Sequence, residues 1–134
     1  MRIAVVTDDQ VTISRHFGRA HYYLVFTVEE GQVVTRELRD KLGHDQFQHE
    51  EHDHHDHDHE HGHGYGQHSQ DKHSRMMANI GDCQVLLAGG MGLGARASLQ
   101  AIGVKPILTN MHEIDAALQA CLAGELEDQP KLLH

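Results

Sequence analysis

Cysteine is scarce in this chain: Cys83 and Cys121 are the only two, 38 residues apart and without a CxxC partner. That excludes a disulfide framework and a cysteine-rich zinc site, and it suits a reducing compartment. Cations are also few, with 11 Lys plus Arg against 20 Asp plus Glu and a formal charge of −9. Binding nucleic acid needs a basic face that releases counterions, and none of these cations cluster. Long apolar runs are missing. Only residues 3–7 separate Arg2 from Asp8-Asp9, too few for the apolar core of a secretory signal, and no stretch approaches the ~20 residues of a membrane span. The expected setting is the cytoplasm, with neither nucleic acid nor membrane as partner.

What the chain has in excess is histidine, 15 in 134 residues. Eleven of them fall between His44 and His73, together with eight acidic residues and one lysine, so this segment carries −7 of the net charge. It has no hydrophobic period and cannot repay its ordering entropy by burial, so residues 44–70 are expected to be a disordered insertion. The remaining residues suffice for one domain with one core. Within the insertion His52, His54, His55, His57, His59, His61 and His63 alternate with Asp53, Asp56, Asp58 and Glu60. Imidazole with carboxylate suits zinc, nickel, cobalt or copper. Such capture weakens as pH falls, because full protonation takes the segment from −7 to +4. A solvated acidic linker that binds metal only incidentally is the plainer reading.

Around the insertion, periodicity predicts a buried strand at Arg2–Thr7, a second at 21–30 and a third at Gln32–Asp40, the last two joined as a hairpin. Beyond it come a helix over 71–79, a central strand over 84–90 and a glycine-rich turn. A helix follows with Ala95, Leu99 and Ile102 inward, then a strand over 105–109. A final amphipathic helix starts near His112, shows Ile114, Ala117, Leu118, Cys121 and Leu122 on one face, and closes at Gly124. A hairpin followed by βαβ units means a mixed α/β sheet with helices on its faces.

Two places could carry chemistry in the folded part. The loop after the first strand presents Ser14, Arg15, His16 and Arg19 around Gly18. A strand end opening into a polar loop is the usual ligand site of such sheets. There His16 could ligate a soft metal while Arg15 and Arg19 neutralise an anion; an ordinary satisfied loop histidine is the alternative. The turn Gly89-Gly90-Met91-Gly92-Leu93-Gly94 follows a strand and opens a helix. It has the outline of a dinucleotide fingerprint, but the next strand ends in Thr109-Asn110-Met111 without the ribose-holding acid. Either its bare amides form an anion nest at a helix N-terminus, or its glycines permit close packing. Asp8 and Asp9 find no further carboxylates at the other strand ends, which argues against a two-metal nuclease. Cys83 and Cys121 read as small buried residues.

Taken together, RIAVVTDD, SRHFGRAHYYLVFTVEEGQ and GDCQVLLAGGMGLGARASLQAIGVKPIL resemble the dinitrogenase iron-molybdenum cofactor biosynthesis family, of the NifX, NafY and NifB C-terminal type. The resemblance spans everything but the histidine tract, and its most specific element is His16-Phe17-Gly18 combined with the later glycine turn. It implies a ribonuclease H-like α/β fold with a mixed five-stranded sheet. It also implies non-catalytic binding of a metal–sulfur cluster, of Fe-Mo-S or Mo-Cu-S type, and its transfer to or from a partner protein. His16 resembles the family's cluster-binding histidine, and Gly90, Gly92 and Gly94 match its glycine turn. Arg15, Arg19 and Arg96 suit an anionic cluster, and Met91 offers a soft contact. Two readings stay open: a cluster carrier using His16, and a metal buffer or metallochaperone using the histidine tract. A nucleotide-dependent enzyme ranks third.

Overall fold

A computed structural model describes residues 1–41 and 77–134. The expected insertion at 44–70, its seven candidate ligands His52 to His63, and residues 71–76 of the helix expected over 71–79 lie outside these described residues. At the C-terminal end of that helix the described residues form a 3-10 turn, Ala78–Ile80, with Ile80 and the preceding Met77 buried.

Five strands make one mixed sheet in the order β3-β2-β1-β4-β5. They are β1 (Arg2–Thr7), β2 (Tyr22–Glu29), β3 (Gln32–Asp40), β4 (Val85–Ala88) and β5 (Lys105–Leu108). β1 is central because its apolar run is buried on both faces, antiparallel to β2 and parallel to β4. The hairpin between β2 and β3 turns on Glu30 and Gly31, with φ of 53° and 77°, the left-handed pair a two-residue loop requires. β5 extends the sheet in parallel beyond β4.

Side-chain alternation sorts the core into two layers. Ala4, Val6, Leu86 and Ala88 face one way and pack under α1 (Leu93–Ala101) through Ala95 and Leu99. Ile3, Val5, Val85 and Leu87 face the other way, against Ile114, Ala117 and Leu118 of α2 (Ile114–Leu122). Gly124, at φ +74°, follows the end of α2 where a C-terminal glycine is expected.

Two packing expectations need correction. Ile102 is 47% exposed instead of inward. α1 ends at Ala101, and Gly103, at φ +84°, reverses the chain so that Val104 fills the core position Ile102 was assigned. Cys121 and Leu122 are only partly buried at the margin of the second layer, whereas Cys83 is buried as expected. The expected ends of β2, β4, β5 and α2 shift by one or two residues, as strand and helix ends commonly do.

Residues 125–134, which no periodicity marked, run back across the strand ends. Gln129 donates to the Leu108 carbonyl, and Asp128 accepts from the Leu108 N–H while pairing with Arg96 at 2.6 Å. After a 3-10 turn at Pro130–Leu132, Leu133 forms a parallel bridge with Met91, and the His134 N–H donates to the Met91 carbonyl.

Candidate functional site

The site forms where the parallel strands β1 and β4 end and their loops meet. Thr7 and Asp9 shape the first loop. Asp9 accepts from the Val11 and Thr12 amides and the Thr12 hydroxyl, and those donors hold its carboxyl down at about 2. Asp8 accepts from the His21 N–H and lies 2.7 Å from the His21 ring nitrogen. Both acids are therefore committed to the loop.

Two backbone bonds then zip this loop onto the glycine turn and a third ties it to β1. Gly89 N–H donates to Ser14 and Phe17 N–H to Gly90, while Ser14 N–H donates to Val6, all at 2.8 to 3.0 Å. Phe17 is buried in the α1-side core, which holds the 3-10 turn Phe17–Arg19 in place and leaves His16 exposed beside it.

Close approach explains the first two glycines. A Cβ on Gly89 would sit 2.9 Å from Arg15 Cα and the Ser14 carbonyl oxygen, and one on Gly90 would sit 2.7 Å from the Arg15 carbonyl oxygen. Neither backbone contact can yield to a side chain. Gly92 and Gly94 serve differently. Gly92 precedes α1 and Gly94 lies in its first turn, and among the described residues the backbone N–H groups of Gly92, Leu93 and Gly94 have no acceptor. Such orphan donors at a helix N-terminus favour an anion.

The cationic residues divide. Arg15 reaches away from the loop surface, donating to the carbonyls of Thr109 and Met111 beyond β5, while its buried Nε has no partner among the described residues. Its role is to tie the loop to the far strand. Arg96 is held by Asp128, so it serves the C-terminal segment instead of an open anion site. Arg19 is exposed and makes no ion pair among the described residues. Met91, expected as a soft contact, is 1% exposed and packs in the core, while its carbonyl accepts from the His134 N–H.

Two residues here escaped sequence reasoning. His134 lies beside His16, with ring centroids 5.9 Å apart and planes at 68°. Its ring Cδ2 and Nε2 lie 3.2 Å from where a Gly90 Cβ would stand. The apolar Leu132 and Leu133 ahead of it, both packed against the core, were the available signal. Lys41 is buried at 3% exposure; its Nζ donates to the Phe17 carbonyl and stands 4.4 Å from the centre of the Phe17 ring. Burial pushes its ammonium down to about 7, against a smaller upward pull from the Asp8 charge.

Among the described residues no three His, Cys, Asp or Glu side chains converge on one point. The Cys83 thiol lies buried ahead of β4, at the opposite end of that strand from the glycine turn, and burial pushes it up to about 12. The donor set at the strand ends is thus imidazole plus backbone N–H. A cluster that brings its own sulfide ligands fits such a set; a bare ion needing three or four protein ligands does not.

The sequence model of the dinitrogenase iron-molybdenum cofactor family matches residues 1–124. The chain belongs to that family. Membership associates it with binding or biosynthesis of the iron-molybdenum cofactor. No curated protein matches it. Among solved structures it is similar to the apo form of the orange protein from Desulfovibrio gigas, at 23% identity and TM-score 0.64, covering 96% of this chain and 92% of that one. It is similar also to a dinitrogenase-type protein of Methanocaldococcus jannaschii, at 11% identity and TM-score 0.62, over 96% and 94% of the two chains. A NifB-type protein from Thermotoga resembles it at 22% identity and TM-score 0.56, over 95% and 91%. At these identities the likeness establishes the shared fold. Among the described residues no helix is long and apolar enough to cross a membrane.

Proposed function

We propose that this protein binds a preassembled, anionic metal–sulfur cluster of Fe-Mo-S or Mo-Cu-S type at the ends of β1 and β4, and passes it to or from a partner protein without a catalytic step. The observation that carries this reading is the placement of exposed His16 on a turn bonded to Gly90, next to the amides of Gly92 and Gly94, which have no acceptor among the described residues. His16 supplies a neutral nitrogen to a cluster metal, while the amides and Arg19 offset the charge on sulfide. Arg15 acts through position, by tethering the loop that carries His16. Few protein ligands suit a carrier, since a cargo held by many bonds leaves slowly.

The strand order, with an antiparallel hairpin beside β1 and parallel strands on its other side, is the layout of a ribonuclease H-like sheet and supports that assignment. We read residues 1–134 as one cofactor-binding domain with the His/Asp-rich insertion at 44–70 as an accessory collector of zinc or nickel. The two free cysteines accord with a reducing cytoplasm.

Anaerobic incubation of the full chain with a synthetic molybdenum–copper–sulfur cluster, followed by metal and sulfide analysis, tests the reading. The expected result is molybdenum retained with matching sulfide, and lost in H16A. The seven histidines of 52–63 favour the metal-buffer reading. If metal is held without sulfide, and only while those histidines are present, the buffer reading replaces the carrier.

A further inference from the structure

We propose that His134 is the second imidazole of the site, gripping the cluster together with His16, so that the segment running back from Asp128 is part of the binding machinery. This rests on the carrier reading and assigns it a further ligand. Three independent features bring His134 there. Its N–H is bonded to the Met91 carbonyl at 2.9 Å, next to the Met91–Leu133 bridge. Its ring lies over the bare face of Gly90, with Cδ2 and Nε2 3.2 Å from where a Cβ would stand. Asp128, bonded to both Arg96 and the Leu108 N–H, anchors the segment further back.

The pair has the dimensions for shared ligation. Metal–imidazole bonds of ~2.0–2.1 Å put two rings on one tetrahedral metal with centroids about 5 Å apart, and on neighbouring metals of a cluster somewhat further. The observed 5.9 Å falls in that range with no main-chain movement. Both rings are exposed, so a cargo arriving from solvent meets them together. Two donors also suit transfer, because one can hold the cluster while the other is exchanged for a ligand of the receiving protein. Two imidazoles alone are too few to keep a bare divalent ion against buffer, which makes the sulfide-bearing cluster the expected occupant.

The test uses the full chain and the variants H16A, H134A, H134F and H16A/H134A, titrated anaerobically with a molybdenum–copper–sulfur cluster made from tetrathiomolybdate and cuprous ion. Molybdenum and sulfide are counted, since copper alone also reports on the histidine tract. Thermal melting establishes that each variant is folded. The expected result is that H134A and H134F both weaken uptake by about tenfold or more, that X-ray absorption shows one fewer nitrogen neighbour on the cluster metals, and that free imidazole restores part of the affinity of H134A. H134F keeps an aromatic wall on Gly90 without a donor nitrogen. If it binds as well as the unaltered chain, His134 merely packs and the proposal is wrong. Normal uptake by H134A with loss in H16A also overturns it and leaves the carrier reading standing. Normal uptake by H16A and the double variant removes the carrier reading itself.

Discussion

Replacing Lys41 with Met should reverse the sign of a stability difference across the alkaline range. Lys41 is the one buried cation among the described residues, wedged between Phe17 and Tyr23 with its Nζ on the Phe17 carbonyl. Burial lowers its ammonium from an ordinary 10.5 to about 7. From pH 7 to 10.5, therefore, the unfolded chain holds this proton and the folded chain has released it, so stability rises with pH. At about 1.4 kcal/mol per tenfold change in proton affinity, the rise amounts to about 4 kcal/mol across that window. Methionine keeps the volume and the ring contacts but leaves the Phe17 carbonyl without its donor, at a cost of about 1–3 kcal/mol at any pH. K41M should then be about 2 kcal/mol more stable than the unaltered chain at pH 7 and about 1–2 kcal/mol less stable near pH 10.5. Urea denaturation of both proteins at intervals across this range measures it. Cys83, pushed up to about 12 by burial, titrates alike in both chains and cancels in the difference. Parallel curves, or a K41M that is weaker throughout, would refute the claim that a desolvated ammonium stands behind the His16 turn.

The glycine turn gives a matched pair: G90A forces a Cβ to 2.7 Å from the Arg15 carbonyl and should cost about 1–3 kcal/mol in chemical denaturation, whereas G92A meets only an ordinary 3.5 Å contact with the His134 carbonyl and should melt within a degree or two of the parent. D128N halves the charge-assisted tie to Arg96 and should lower stability by about 1–2 kcal/mol. It should also loosen residues 129–134 in amide exchange, with protection of β1 and β4 unchanged. On the acid side, hydrogen bonds from Arg39 hold the Asp82 carboxyl down at about 2, so the stability it contributes is present above pH 4 and lost as pH falls toward 2. Thermal melts of D82N should show a shallower decline over that interval than the parent, and an unchanged decline would remove the Arg39–Asp82 pair from the account.

How much of this was legible in the residues depended on whether a signal was local. The β1 run, the hairpin turning on Glu30-Gly31 and the α2 face closed by Gly124 each declare themselves within a few positions, through period or left-handed turn chemistry. Ile102 failed because helical spacing extends an apolar face past the point where Gly103 reverses the chain, and Val104 then competes for the same hole. Lys41 and His134 could not be found that way. Each owes its place to contacts more than 20 residues distant in sequence, with Phe17 in one case and Met91 and His16 in the other.

The glycine turn shows how a motif can have two explanations at once. Close packing and an anion nest were rival readings of the same residues, yet they apply to different glycines. Gly89 and Gly90 are bare so that the Ser14–Phe17 backbone can lie on them, and this is what carries His16 some 70 residues back to the turn. Gly92 and Gly94 stand a step further on, where the amides have no acceptor among the described residues. Packing therefore builds the site and the nest supplies its charge complement. A substitution at Gly90 should cost stability and uptake together, while one at Gly94 that preserves the helix should touch uptake alone.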